Sequence, residues 1–273
     1  MESMTPNQLA TLGHPQRLAL FSLLMRRYPD HVSAGEIADA LGLKASTLST
    51  YLGALQRAHL VGQKRSGTSL LYAIDMHAAR QMFDALLSGC CQGRLDLCLP
   101  SPNTGPAAMP DRKYNVLFIC TGNSARSIFA ECLLRKLGGD RFNAYSAGTR
   151  PHSKLNPFAV KVLEDKGHDT RELRAKNIAA FSGPDAPPLD FVFTVCNQAA
   201  NEECPTWDGQ PVSGHWGMPD PVKAQGTPAE QALAFQEAYG TLKRRIEAFV
   251  ALPGQSLDRI ALQSAIDDIA RAP

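Results

Sequence analysis

Cys120-Thr-Gly-Asn-Ser-Ala-Arg126-Ser127 sets a thiol ahead of an arginine with five short residues between them. The apolar run Val116-Leu-Phe-Ile119 precedes the segment, and Ile128-Phe-Ala-Glu-Cys-Leu-Leu-Arg135 follows it with a helical pattern. A strand, a tight turn and a helix in that order aim the backbone N–H groups of Thr121, Gly122, Asn123, Ser124, Ala125 and Arg126 at one point. The positive end of the helix points there too, which makes a cradle for a tetrahedral oxyanion. Arg126 adds a planar, bidentate clamp on the oxygens. The same positive surroundings are expected to depress the Cys120 pKa and make it a thiolate nucleophile.

The chain has six further cysteines, at 90, 91, 98, 132, 196 and 204. Cys196 closes the apolar run Phe191-Val-Phe-Thr-Val195 and is expected at the same sheet edge as Cys120. Cys204 falls in a polar stretch, Asn197-Gln-Ala-Ala-Asn-Glu-Glu203, read as a loop free to swing. Cys132 lies on an apolar helix face and reads as core. His215 and Trp216 read as packing residues, and His152 and His168 as solvent-exposed.

The elements that position these residues divide the chain. Residues 99–113 contain four prolines and little to bury, so they read as an extended linker. Domains are expected at 1–98 and 114–252, with 253–273 as a helical appendage beyond Pro253-Gly254. After the linker, strands are expected at 115–119, 142–146, 190–195 and 212–215. Helices are expected near 127–137, 156–166, 228–250 and 256–270, and the alternation implies an α/β fold with a parallel sheet.

Before the linker the pattern is mainly α. Pro15 opens a helix carrying Leu18, Phe21 and Leu24, and Ser33-Ala-Gly-Glu36 reads as a capping box. A helix from about Ala45 buries Leu48, Leu52 and Leu55. The alternating stretch from Leu60 to Ile74 turns at Ser66-Gly67 as a hairpin, and a last helix covers about 76–88. Two helices and a basic hairpin make a winged helix-turn-helix, whose second helix enters the DNA major groove. Ser46, Thr47, Ser49 and Thr50 suit base edges and phosphates, and Lys44, Lys64 and Arg65 suit the backbone.

Leu12-Gly-His-Pro-Gln-Arg-Leu18, Glu36-Ile-Ala-Asp-Ala-Leu-Gly42, Ser46-Thr-Leu-Ser-Thr-Tyr-Leu52 and Ala58-His-Leu-Val-Gly62 resemble the ArsR/SmtB family of winged-helix repressors over about residues 5–98. The resemblance implies a homodimer, formed through this domain, that releases operator DNA when a metal or metalloid binds. One branch of the family uses a Cys-x-Cys at the recognition helix, where this chain has no cysteine. Another uses Asp-x-His and a His-x-x-Glu; Asp75 and His77 match the first half, but Ser88 and Cys91 stand at the second. What remains is Cys90, Cys91 and Cys98. Three thiolates so close can form a pyramid on As(III) or Sb(III), whereas zinc prefers four ligands.

The Cys120 loop, Ala144-Tyr-Ser-Ala-Gly148, Thr194-Val-Cys196, Cys204-Pro205 and His215-Trp-Gly-Met-Pro-Asp-Pro221 resemble low-molecular-weight protein-tyrosine phosphatases over about 114–252. They are more similar still to the thioredoxin-coupled arsenate reductases on that fold. The resemblance implies that Cys120 attacks arsenate with Asp220 as general acid. Cys196 then attacks Cys120 and expels arsenite, and Cys204 attacks Cys196 to carry the disulfide outward to reduced thioredoxin. Ser127 would hydrogen-bond the thiolate and Asn123 would brace the loop.

Three positions depart from the pattern. Ala125 stands where the common loop has a second cysteine, and the 196–204 spacing is one residue longer. Val222 replaces an aromatic residue of the tyrosine phosphatases. Lys176 aligns with an acidic potassium ligand of some reductases, so its ammonium would replace that ion.

Composition bounds the rest. A chain of 273 residues with 44% hydrophobic content supports two cores, and a net charge of +2 gives no general polyanion affinity. Without a signal-peptide pattern or a membrane-length apolar run, the expectation is a cytoplasmic protein in a reducing compartment. Catalysis is expected to need no bound cofactor. The halves together imply an arsenite-responsive repressor joined to an arsenate reductase, with operator DNA, arsenate and thioredoxin or glutaredoxin as partners and no membrane. The alternatives are a small tyrosine phosphatase fused to a DNA-binding domain, and a non-enzymatic oxyanion sensor.

Overall fold

The computed structural model describes residues 5–90, 112–183, 185–202, 205, 207, 209–253 and 258–272. The chain divides into two compact units, Met1–Thr104 and Gly105–Pro273.

The first unit contains α1 (Thr5–Leu12), α2 (Pro15–Arg26), β1 (Val32–Ser33), α3 (Ala34–Leu41), α4 (Ala45–Arg57), β2 (Val61–Ser66), β3 (Ser69–Ile74) and α5 (Met76–Ala85). Pro15 sits in the first turn of α2, where its missing N–H costs nothing. Ser33 Oγ accepts from the Glu36 N–H at 3.2 Å, while the Glu36 carboxylate pairs with the buried Arg27 guanidinium. Gly42 ends α3 in the left-handed region (φ 62°) and lets α4 start three residues later. Leu48, Leu52 and Leu55 bury one side of α4 against a core that includes Leu20, Leu23, Leu24 and Ile37. The three strands pair antiparallel in the order β1-β3-β2, and Ser66 opposite Ser69 leaves a two-residue turn at Gly67-Thr68. The last helix is shorter than expected: α5 stops at Ala85 and passes into a π-helical turn over Leu86–Cys90. Cys90 is exposed, and Cys91 and Cys98 lie outside the described residues.

The second unit contains β4 (Tyr114–Cys120), α6 (Arg126–Gly138), β5 (Phe142–Gly148), α7 (Pro157–Asp165), β6 (Phe191–Thr194), α8 (Asn197–Asn201), β7 (Val212–His215), α9 (Pro228–Ala251) and α10 (Arg259–Arg271). All neighbouring strands are parallel, in the order β5-β4-β6-β7. Every residue of β4 is buried, as a central parallel strand requires. The chain leaves β4 for β5 on one side and later returns to β6 on the other. The carboxyl end of β4, with Cys120, is therefore at the switch point where α/β sheets bind ligands.

Two expectations change here. The segment read as an appendage belongs to the core: Leu262, Ile266 and Ile269 are buried with the sheet residues. Trp216 Nε1 donates to Ile266 O at 3.4 Å, and Gln263 Nε2 donates to Ser213 O at 2.8 Å. Trp216 itself stacks on Phe193, with ring centroids 4.1 Å apart. The polar stretch after Cys196 is also more ordered than a loop, because Asn197–Asn201 forms α8. Among the described residues, no helix is long and apolar enough to cross a membrane.

Candidate active site

Buried strand β4 delivers Cys120 to the sheet edge, where the thiol is 3% exposed. Its sulfur has two close polar neighbours: Ser127 Oγ at 2.9 Å and the Asn123 backbone N–H at 3.1 Å. Asn123 turns the loop with a left-handed φ of 44°, a conformation asparagine tolerates better than most residues. Its side chain is fixed at both ends. Oδ1 accepts from the Lys176 N–H at 2.7 Å, while Nδ2 donates to Ser127 Oγ at 2.8 Å and Ser146 Oγ at 2.9 Å.

This orders the network. Ser127 Oγ accepts from Asn123 Nδ2, which leaves its own proton free to donate to a Cys120 thiolate. Ser146 Oγ likewise accepts from Asn123 and donates to Glu131 Oε2. Glu131 is 4% exposed on α6 and pairs with Lys176 Nζ at 3.0 Å and Arg135 Nη2 at 2.7 Å. Lys176 thus supplies a positive charge behind the loop through the chain Glu131, Ser146, Asn123, Ser127. Glu131 and Ser146 were not found from sequence. The available signal was a glutamate inside the apolar run of α6, where an ionised group needs a partner.

Arg126 opens α6 and is 8% exposed. Its Nη2 pairs with Asp220 Oδ2 at 2.8 Å, and its Nη1 donates to Met218 O at 3.3 Å. Asp220 also caps the 3₁₀ turn Pro221–Lys223, accepting from the Val222 N–H. Cys196 follows β6, is 1% exposed and accepts from the Ala199 N–H at the start of α8. Its sulfur lies 3.4 Å from Thr121 Oγ1, beside the loop. Arg126, Cys196, Asn197, Met218, Asp220 and Lys223 border a cavity of about 490 Å³.

The expected depression of the Cys120 pKa is not met in this conformation. Burial pushes the thiol up, and the neighbouring Cys196 adds to that; the Ser127 hydrogen bonds and the Arg126 charge act the other way without prevailing. The Arg126 guanidinium is engaged by Asp220, which diminishes its hold on the sulfur. Cys132 is a different thiol. Burial first, then Glu131, pushes it up to about 12, which fits a core residue.

Of the residues read as a site, Cys120, Asn123, Arg126, Ser127, Cys196 and Asp220 come together, and the loop of Thr121, Gly122, Ser124 and Ala125 joins them. Cys204 lies outside the described residues. His215 is buried with Nδ1 2.8 Å from Thr194 Oγ1. His168 is not free in solvent as expected: it is half-buried, and its Nε2 meets Tyr239 OH at 2.8 Å. In the first unit, Lys44, Ser46, Ser49 and Thr50 are exposed and Thr47 is half-buried, all at the amino end of α4; Lys64 and Arg65 are exposed on β2.

Residues 115–261 match the low molecular weight phosphotyrosine protein phosphatase family, and residues 12–62 match a helix-turn-helix domain. The chain is 40% identical over 138 residues to an arsenate reductase of Bacillus licheniformis, covering 50% of this chain and 95% of that protein. It is 37% identical over 134 residues to an arsenate reductase of Bacillus subtilis, covering 49% and 93%. A solved arsenate reductase from Archaeoglobus fulgidus aligns with 21% identity and a TM-score of 0.41, covering 50% of this chain and 99% of that one.

Proposed function

The chain belongs to the low molecular weight phosphotyrosine protein phosphatase family through residues 115–261, and on that premise we propose that it reduces arsenate to arsenite and represses transcription in an arsenite-responsive way. The observation that carries the reductase reading is Cys196. A hydrolytic phosphatase has no need of a second buried thiol beside its oxyanion loop. Here one is held by Ala199 N–H and sits against Thr121.

In the proposed reaction, the Cys120 thiolate attacks As(V) and displaces one oxygen, which leaves as water with a proton from Asp220. Asp220 reaches that role by giving up Arg126, whose fork then holds the substrate oxygens. Cys196 attacks the Cys120 sulfur; the S–S bond forms, the S–As bond breaks, and arsenic leaves with the electron pair as arsenite. Cys204 then attacks Cys196, which frees Cys120 and moves the disulfide to the 196–204 pair. A dithiol donor of the thioredoxin type reduces that disulfide and becomes oxidised itself. Glutaredoxin with glutathione is the competing donor. Lys176, ion-paired to Glu131, takes the place of a bound monovalent cation behind the loop.

The first unit supports the repressor reading with a helix-turn-helix match and a row of exposed hydroxyls on α4. Cys90, with Cys91 and Cys98, would hold As(III) or Sb(III) through three sulfurs. Leu9, Leu18 and Phe83 are exposed on α1, α2 and α5 and would be covered in a homodimer. Reduced thioredoxin and operator DNA both place the work in the cytoplasm.

The deciding experiment is arsenate-dependent NADPH oxidation through thioredoxin reductase and thioredoxin, with Cys196→Ser beside the wild type. Multiple turnover lost in the variant supports the reductase. An unaffected variant that hydrolyses an aryl phosphate would replace it with a phosphatase. For the sensor, arsenite should release operator DNA from the wild type and not from a chain with Cys90, Cys91 and Cys98 all replaced by serine.

A further inference from the structure

Residues 149–156 run along the outside of the oxyanion loop and bind its carbonyls one after another. Thr149 N donates to Cys120 O at 3.1 Å, Arg150 N to Thr121 O at 2.9 Å, His152 N to Gly122 O at 2.9 Å and Asn156 N to Ser124 O at 3.0 Å. Holding these carbonyls outward leaves the loop N–H groups for the inside. One of the four stands apart. The Gly122 carbonyl and the Asn123 N–H are opposite ends of a single planar peptide, so fixing one end fixes the other. That N–H is the one directed at the Cys120 sulfur, at 3.1 Å. The peptide also leads into the left-handed Asn123, a conformation that needs support from its surroundings.

His152 touches Gly122 a second time. A Cβ placed on Gly122 would lie 2.3 Å from His152 Cδ2 and 2.6 Å from Nε2, so the imidazole fills the space of the missing side chain. Gly122 is not among the residues with positive φ. The ring, rather than backbone conformation, occupies the space a side chain at position 122 would need. Among the described residues the imidazole itself has no hydrogen-bond or ion-pair partner, so packing on the loop is what places it.

We propose that His152 is a positioning residue for the reaction: its N–H and its ring together clamp the Gly122–Asn123 peptide so that the Asn123 N–H stays on the nucleophilic sulfur and the loop stays shaped for an oxyanion. The inference rests on Cys120 being the nucleophile and is indifferent to which oxyanion it attacks.

The test uses the full chain as wild type, His152→Ala, Gly122→Ala and the double variant. Iodoacetamide labelling of the Cys120 peptide is followed by mass spectrometry across pH, with inorganic phosphate as the protecting oxyanion. The other groups that set Cys120 titration (Cys196, Ser127, and Arg126 with its partner Asp220) are unchanged in all four proteins. His152→Ala should move the labelling midpoint upward and weaken phosphate protection about tenfold, the scale of a small misplacement, with an unchanged thermal midpoint. Gly122→Ala should lose protection through the clash, and adding His152→Ala should bring it back to the level of His152→Ala alone. A His152→Ala protein that labels and binds phosphate like the wild type would overturn the proposal. So would a double variant as defective as Gly122→Ala alone. A wild type without arsenate turnover, in which the clamp variants still behave as expected, would count against the substrate and support the clamp.

Discussion

On the proposed function, helices α4 and α6 would both meet an anion at their amino ends, and they are built in opposite ways. Neither has a side-chain cap on its first N–H groups. The start of α4 is open, with Ser46, Ser49 and Thr50 exposed. In α6 every residue from Arg126 to Leu134 is buried, and the hydroxyl of Ser127 is locked between Asn123 and Cys120. The difference is what the two proposed ligands would require. A duplex brings many phosphates, so each exposed hydroxyl contributes little and water competes for it. A single tetrahedral oxyanion offers a few oxygens, and a site for it gains by fixing its dipoles in advance and away from water.

The comparison breaks most visibly at the nucleophile. Cys120→Ser should lower arsenate turnover by at least about 10⁴-fold, as removal of a catalytic nucleophile does. Serine retention of substantial turnover would remove Cys120 from the chemistry altogether.

Asp220→Asn separates the observed ion pair of one carboxylate from its proposed role as general acid. Turnover should fall by on the order of 10³-fold through loss of the general acid. Cys120 labelling should move the other way. Freed from its ion pair, Arg126 stabilises the thiolate, so the labelling midpoint drops to lower pH and labelling at a fixed mildly acidic pH rises. A midpoint that stays put or rises would show that Arg126 does not act on the sulfur.

The sharpest form of the comparison is the same substitution in both helices. Ser127→Ala should cost about 10²-fold in turnover, the loss expected for one preorganised donor. Ser49→Ala should weaken operator affinity only about fivefold, near the 1 kcal/mol of a solvent-exposed hydrogen bond. Equal effects in a fluorescence-anisotropy titration and a turnover assay would dissolve the distinction. The smallest effect belongs to the wing: Lys64→Ala should reduce the salt slope of DNA binding by about one counterion while leaving sequence preference intact.

The C-terminal site was legible in proportion to how local it is. Cys120, Arg126 and Ser127 share one strand-turn-helix, so spacing alone placed them, and β4 and α6 follow from an apolar run and a helical period. Cys196 was found because it too ends an apolar strand. Glu131, Ser146 and Lys176 are far apart in sequence and meet only after the sheet forms, so no local pattern joins them. His152 was hidden differently. Its exposure was read correctly, but its contact with Gly122 is set by the path of 149–156 across the loop. The titration of Cys120 was misjudged because burial and the neighbouring Cys196 thiol are properties of the folded site. The core role of α10 could have been found, since Leu262, Ile266 and Ile269 recur at one-turn spacing on a single helix face.

That helix has a consequence for the life of the protein in solution. β7 is the last strand of its sheet, and its outer side would be a template for another strand. α10 covers it in part: the Gln263 side chain donates to the Ser213 carbonyl at the edge, Arg259 donates to the Gln210 carbonyl just before the strand, and Ile266 packs on the sheet face over Gly214. A chain cut after Pro253 would keep every residue of the proposed chemistry and lose this cover. Such a truncation should therefore fail first by self-association, with a bare strand edge and an uncovered Trp216 seeding aggregates in a protein whose reactive sulfurs are all still in place.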